Sequence, residues 1–178
     1  FVLFTSFAAL EKTARCLQGE ARAAGLEVLC QGPGSRSQLL QRFCRAEGRG
    51  VVLLGTDSFW EGVDVPGPAL SLVVLARLPF PVPDHPLVQA RAERLRAQQR
   101  HPFRDDALPR AVVKFRQGFG RLIRTAQDRG AVAVWDRRVL ARAYGRQFLQ
   151  ALPACDLVAG PARALAREVA AWIGPPPP

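Results

Sequence analysis

Two segments of the chain combine residue types whose spacing suits work on phosphate. The first is Gln117-Gly-Phe-Gly-Arg121-Leu-Ile-Arg124, inside a stretch of helical periodicity over residues 108–126. At roughly 100° per residue, Gln117, Arg121 and Arg124 fall within about 60° of one another, while Phe115, Phe119, Leu122 and Ile123 take the opposite side. One face is core and the other cationic. Gly120 lies on the polar stripe, where a missing side chain lets a bulky ligand come close. Guanidinium groups present a planar fork of donors that matches phosphate oxygens, so the stripe has the form a triphosphate needs. Two arginines alone would suit an ordinary solvated surface; the glutamine and glycine beside them favour a ligand.

The second segment, Gly55-Thr-Asp-Ser-Phe-Trp-Glu-Gly-Val-Asp64-Val-Pro-Gly67, directly follows the apolar run 51–54. Ligand sites of parallel sheets lie at the carboxyl ends of strands, so its position is favourable. The hydroxyls of Thr56 and Ser58, with nearby backbone N–H groups, suit a phosphate, and Glu61 and Asp64 suit either the nucleotide or a coupling of the two sites. A tight strand-to-helix turn, needing glycines and capping itself with Thr and Asp, would read the same way.

These segments need a frame to hold them. Short apolar runs at 1–4, 26–30, 51–54, 72–76 and 131–135 read as buried strands. Helical spacing at 10–24, 39–47, 87–99 and 108–126 separates them, with Gly25 closing the first helix. This alternation predicts a mainly parallel sheet covered by helices on both faces, an α/β fold of three layers. Residues 161–173 form an amphipathic helix, and the Pro-rich residues beyond it a frayed end. At 178 residues a single domain is expected. From the abrupt start inside an apolar run, an excised piece of a longer chain is expected.

Net charge is +10, with arginines spread along the whole length, a field that favours polyanions. Nucleic acid, an anionic membrane or an acidic protein surface would each satisfy it. Cys16, Cys30, Cys44 and Cys155 lie far apart, with only His85 and His101 to assist them, which points away from a metal site and towards free thiols. No apolar run approaches the ~20 residues of a membrane span, and no secretory signal pattern is present. A soluble, cytoplasmic protein without a membrane partner is expected.

The pattern Gln-x-x-Gly-Arg-x-x-Arg at 117–124 resembles motif VI of superfamily 2 helicases. Residues 58–64, Ser-Phe-Trp-Glu-Gly-Val-Asp, resemble motif V of the DinG and XPD branch, and Leu3-Phe-Thr-Ser-Phe7 resembles motif IV. Further similarity at Leu78-Pro-Phe-Pro-Val-Pro-Asp-His-Pro, Asp128-Arg-Gly130, Asp136-Arg-Arg138, Tyr144-Gly145 and Leu152-Pro153 extends over almost the whole chain and points to the DinG/YoaA-like group. The resemblance implies a RecA-like second motor domain of an ATP-dependent DNA helicase, moving 5′ to 3′ on single-stranded DNA. It implies that Arg121 and Arg124 act as arginine fingers on a γ-phosphate bound by a preceding motor domain, with Gln117 on that phosphate or the attacking water. Glu61, Gly62, Asp64 and Gly120 would meet the nucleotide, and Thr5, Ser6, Thr56 and Ser58 the DNA backbone. Trp60 and Phe80 are candidates for base stacking, with a buried core role as the alternative. Asp136 and Arg138 read as an ion pair, and residues 79–86 as a rigid loop.

The sequence has no Gly-x-x-x-x-Gly-Lys-[Ser/Thr] loop and no Asp-Glu pair after a strand. ATP and Mg²⁺ would therefore be shared with the preceding motor domain, and any iron–sulfur cluster would lie outside this segment. Two other classes remain open: a silent nucleic-acid-binding module, and a basic protein-interaction domain.

Overall fold

The computed structural model describes residues 1–46, 50–60, 70–120, 122 and 129–174. Five strands, β1 (Val2–Leu3), β2 (Glu27–Cys30), β3 (Val51–Gly55), β4 (Leu72–Leu75) and β5 (Ala131–Val134), form one sheet in the order β2-β3-β1-β4-β5. Every pairing is parallel; Leu3 is in register with Gly55 on one side and Leu75 on the other, and Leu75 with Val134.

Alternation along the strands separates two hydrophobic layers, because successive side chains point to opposite faces. Leu3, Leu29, Leu53, Val73 and Leu75 belong to the larger cluster, packed with Phe43, Phe59, Trp60, Ala111, Phe115 and Phe148. Leu54, with Val2, Val28, Cys30 and Val52, belongs to the other, under Leu10 and Leu17. Helix α1 (Phe7–Ala23) supplies that second layer. Helices α2 (Arg36–Cys44), α3 (Asp57–Trp60) and α5 (Leu108–Phe119) build the first. The result is the expected three-layer α/β arrangement of RecA type.

Local signals account for most element ends. Ser6, in extended conformation, caps α1 by accepting the Ala9 N–H at 3.2 Å, and Gly25 beyond the helix takes φ +70, a conformation that favours glycine. Helix α4 (Pro86–Ala97) starts with Pro at its first turn, where no N–H is missed. A single π-turn, Phe103–Ala107, leads directly into α5. Short α6 (Arg138–Ala141) and α7 (Gly145–Gln150) follow β5, and α8 (Ala162–Ile173) packs against that edge strand, its Trp172 indole N–H donating to the Gly130 carbonyl at 3.1 Å.

Helix α5 departs from the sequence expectation. Its buried positions Leu108, Ala111, Phe115 and Gly118 follow the predicted stripe, but the helix ends at Phe119 with Gly120 as C-cap, and residues 121 and 123–126 of the expected stretch lie outside the described residues. Two glycines in three residues weaken helix propagation, and the Leu122 N–H donates to the Phe119 carbonyl at 3.1 Å in a tighter turn. Of the three residues grouped by the angular argument, Gln117 lies on α5, and Arg121 and Arg124 lie outside the described residues. Helix α2 likewise occupies Arg36–Cys44 rather than 39–47.

Candidate functional site

Four of the candidate residues lie just beyond the carboxyl ends of strands, where the loops after β4 and β5 also emerge. Thr5 and Ser6 follow β1, Thr56 and Ser58 follow β3, Arg77 follows β4, and Trp135 and Asp136 follow β5. Thr5 is half-buried and Ser6 exposed; the Ser6 hydroxyl oxygen is engaged as the α1 cap, leaving its O–H able to donate outward.

After β3 the chain turns into α3, with the Phe59 N–H donating to the Thr56 carbonyl at 2.8 Å. Gln31, at the end of β2, holds this turn. Its Oε1 accepts from the Thr56 N–H at 2.6 Å and the Thr56 hydroxyl at 3.0 Å, and its Nε2 donates to the Ser58 hydroxyl oxygen at 2.9 Å. Thr56 is thus buried with its hydroxyl turned inward, and Ser58 is the exposed hydroxyl of the two. Sequence reasoning missed Gln31. Its one signal was a polar residue directly after an apolar strand, and the partners 25 and 27 residues away were invisible to any local window.

Trp60 is a core residue, and Phe80 is a half-buried ring packed against the core. Trp60 is 0% exposed, its indole N–H donating to the Phe4 carbonyl at 3.4 Å. Phe80 sits in an aromatic cluster with Phe103, Tyr144 and Phe148, its ring centroids 5.6 to 5.7 Å from theirs. For Trp60 the structure selects packing, which removes it from base stacking, while Phe80 packs on the core with part of its surface still accessible.

Gly118 has a clear steric reason. A Cβ there would lie 2.9 Å from Trp60 Cζ3 and 3.1 Å from Cε3, so glycine lets α5 lie flat on the buried indole. The segment that carries Gln117 is thereby pressed onto the helix that follows β3. Gly120, by contrast, is exposed, and a Cβ there would meet nothing closer than the Arg116 carbonyl oxygen at 3.5 Å. Gln117 is also exposed on α5. Arg121, Arg124, Glu61, Gly62 and Asp64 lie outside the described residues.

The loops after β4 and β5 are joined by Asp136. Its carboxylate accepts the Leu78 N–H at 3.0 Å, the Arg138 backbone N–H at 3.0 Å, and the Arg138 Nε and Nη2 at 2.9 and 2.6 Å. Burial by itself raises the carboxyl pKa, but these donors and the guanidinium charge prevail and bring it to about 2. The expected ion pair is present, and Arg138 also covers the Phe80 ring at 5.5 Å. The aspartate anchors the proline loop on the aromatic cluster.

Residues 1–155 match the family model described as helicase C-terminal domain. This chain belongs to that family. It is 46% identical over 154 residues to a Bacillus subtilis protein named 3′-5′ exonuclease DinG, covering 85% of this chain and 16% of that protein. Identity to the Haemophilus influenzae ATP-dependent DNA helicase YoaA is 45% over 153 residues, covering 86% of this chain and 23% of that protein. A solved chain described as XPD helicase superposes with a TM-score of 0.64 at 20% identity, over 88% of this chain and 28% of that chain, a likeness of fold. The chain thus spans under a quarter of the length of these two curated relatives. Helix α8 lies beyond the residues that match the helicase C-terminal domain family.

Proposed function

We propose that this chain is the second motor domain of a longer, cytoplasmic, ATP-dependent DNA helicase that moves 5′ to 3′ on single-stranded DNA. The reading rests above all on the family match over residues 1–155, which includes every candidate site residue. ATP with Mg²⁺ would lie between this domain and a preceding motor domain of the same chain. The described residues are compatible with such a ligand: the Gln117 amide is exposed and, among the described residues, has no hydrogen-bond partner, so it is available to a group outside the domain.

In this mechanism the preceding domain holds the triphosphate. Arg121 and Arg124 close on the γ-phosphate and neutralise charge that grows as the terminal P–O bond breaks, a role worth on the order of 10³-fold or more in rate. Gln117 orients the attacking water or the γ-phosphate, and Glu61, Gly62, Asp64 and Gly120 meet the nucleotide. Closure shifts Thr5, Ser6 and Ser58 along the DNA backbone, with Gln31 and the buried Thr56 holding the Ser58 turn. Alone, the domain has no ATPase activity, because it has no phosphate-binding loop.

The test is ATP hydrolysis by the full-length protein with and without single-stranded DNA, comparing native enzyme with Arg121→Ala and Arg124→Ala. Loss of most DNA-stimulated turnover, with nucleotide and DNA binding largely kept, supports the arginine-finger role. Unchanged turnover in both variants, or none in the native protein, refutes the motor and leaves a nucleic-acid-binding module.

A further inference from the structure

Between β1 and β4 the outgoing connections diverge: β1 leads to β2 on one side and β4 to β5 on the other. In parallel sheets such a point opens a crevice beyond the carboxyl ends of the strands. Here a cavity of ≈ 210 Å³ occupies it, with Thr5, Ser6, Thr13, Ala76, Arg77 and Trp135 in its lining. The sheet bonding carries one residue past the strand ends, the Ala76 N–H donating to the Leu3 carbonyl at 3.0 Å and the Trp135 N–H to the Leu75 carbonyl at 2.9 Å. Trp135 is therefore held by backbone beside Ala76, whose small side chain leaves the crevice open.

The three tryptophans of the chain differ sharply in surroundings. Trp60 is fully buried, and Trp172 has its N–H bonded to Gly130 and Arg129 over its ring at 5.0 Å. Trp135 is 63% exposed, with no hydrogen bond, aromatic contact or cation contact to its indole among the described residues. Arg77 is exposed and has no ion pair among them. An exposed flat ring, a guanidinium and two hydroxyls around one crevice complement a nucleotide: base on the indole, phosphate on the cation, backbone along Thr5 and Ser6.

We infer that Trp135 and Arg77 form a one-nucleotide subsite for single-stranded DNA, the indole stacking on an unpaired base and the guanidinium holding its phosphate. This rests on the reading above that the Thr5 and Ser6 end of the sheet faces single-stranded DNA. A duplex hides its base faces within its own stack, so the subsite discriminates for single strands. Because every base offers a π-face, it is tolerant of sequence.

Binding of a fluorescent oligothymidylate to the full-length protein, titrated over a range of salt, tests the subsite with Trp135→Ala, Trp135→Phe and Arg77→Gln. Trp135→Ala is expected to weaken binding about tenfold, the size of one stacking contact, without changing the salt slope. Trp135→Phe, which keeps an aromatic face, should recover most of that loss, separating stacking from a fold defect. Arg77→Gln should lower the salt slope by about one. Removing the bases from the oligonucleotide should cost the native protein about tenfold more than it costs Trp135→Ala. Tight, salt-dependent binding by the native protein that Trp135→Ala leaves unchanged overturns the subsite and spares the DNA reading. Absence of single-strand binding by the native protein overturns both.

Discussion

Replacing Asp136 by Asn removes the charge that ties the loop after β4 to the loop after β5. The carboxylate is 8% exposed, and its two oxygens accept from Leu78 N–H, Arg138 N–H and the Arg138 guanidinium. A carboxyl brought from 3.8 to about 2 on folding contributes roughly 2 kcal/mol at neutral pH. Because the folded value is the lower one, that contribution is complete above the unfolded pKa and disappears as pH falls from 3.8 towards 2. Asparagine keeps one acceptor oxygen and turns an NH₂ towards a cluster of donors, so the expected loss at pH 7 is about 2–4 kcal/mol. Urea denaturation of this chain, followed by tryptophan fluorescence, measures it. The native chain should lose stability more steeply than Asp136→Asn below pH 4, and the two should approach one another near pH 2. A difference at pH 7 smaller than about 0.5 kcal/mol would show that the carboxylate network is not what holds the loops together.

Gly118→Ala should gain about 1 kcal/mol of helix propensity but lose about 1–3 kcal/mol by pressing a methyl group into the Trp60 ring, for a net loss near 1 kcal/mol and a red-shifted emission from that buried indole. Denaturant midpoints and emission spectra check both; a stabilised variant with unchanged emission would mean that α5 does not rest on Trp60 as described. Gln31→Leu removes the acceptor of the Thr56 N–H and hydroxyl, and should cost about 1–3 kcal/mol because a buried donor is left without a partner. In the full-length protein it should also weaken single-strand binding through the Ser58 turn, while DNA affinity equal to native would exclude Gln31 from positioning that turn.

Legibility of this chain divides by the range of the interaction. Strand and helix positions were readable because burial imposes its period on nearby residues: Leu3, Leu53 and Leu75 on one face, Leu54 on the other, and Leu108, Ala111, Phe115 and Gly118 along α5. Gly25 was readable as a helix stop because its backbone geometry is a local matter. Apolar spacing continues past Gly120 in sequence, whereas the described helix ends at Phe119 with Gly120 as its cap, because a local period does not register the two glycines that weaken the last turn.

The sequence by itself determined the alternating α/β pattern, the cationic character and the motif resemblance, since each depends on residue type and short spacing. Only the tertiary structure decided that β1 lies between β3 and β4, as any parallel order would show the same apolar runs. It also decided that Trp60 is core and Trp135 exposed, and that Gln31 reaches Thr56 and Ser58. Exposure and partnership at these positions are set by residues tens of positions away, through packing that no local pattern records.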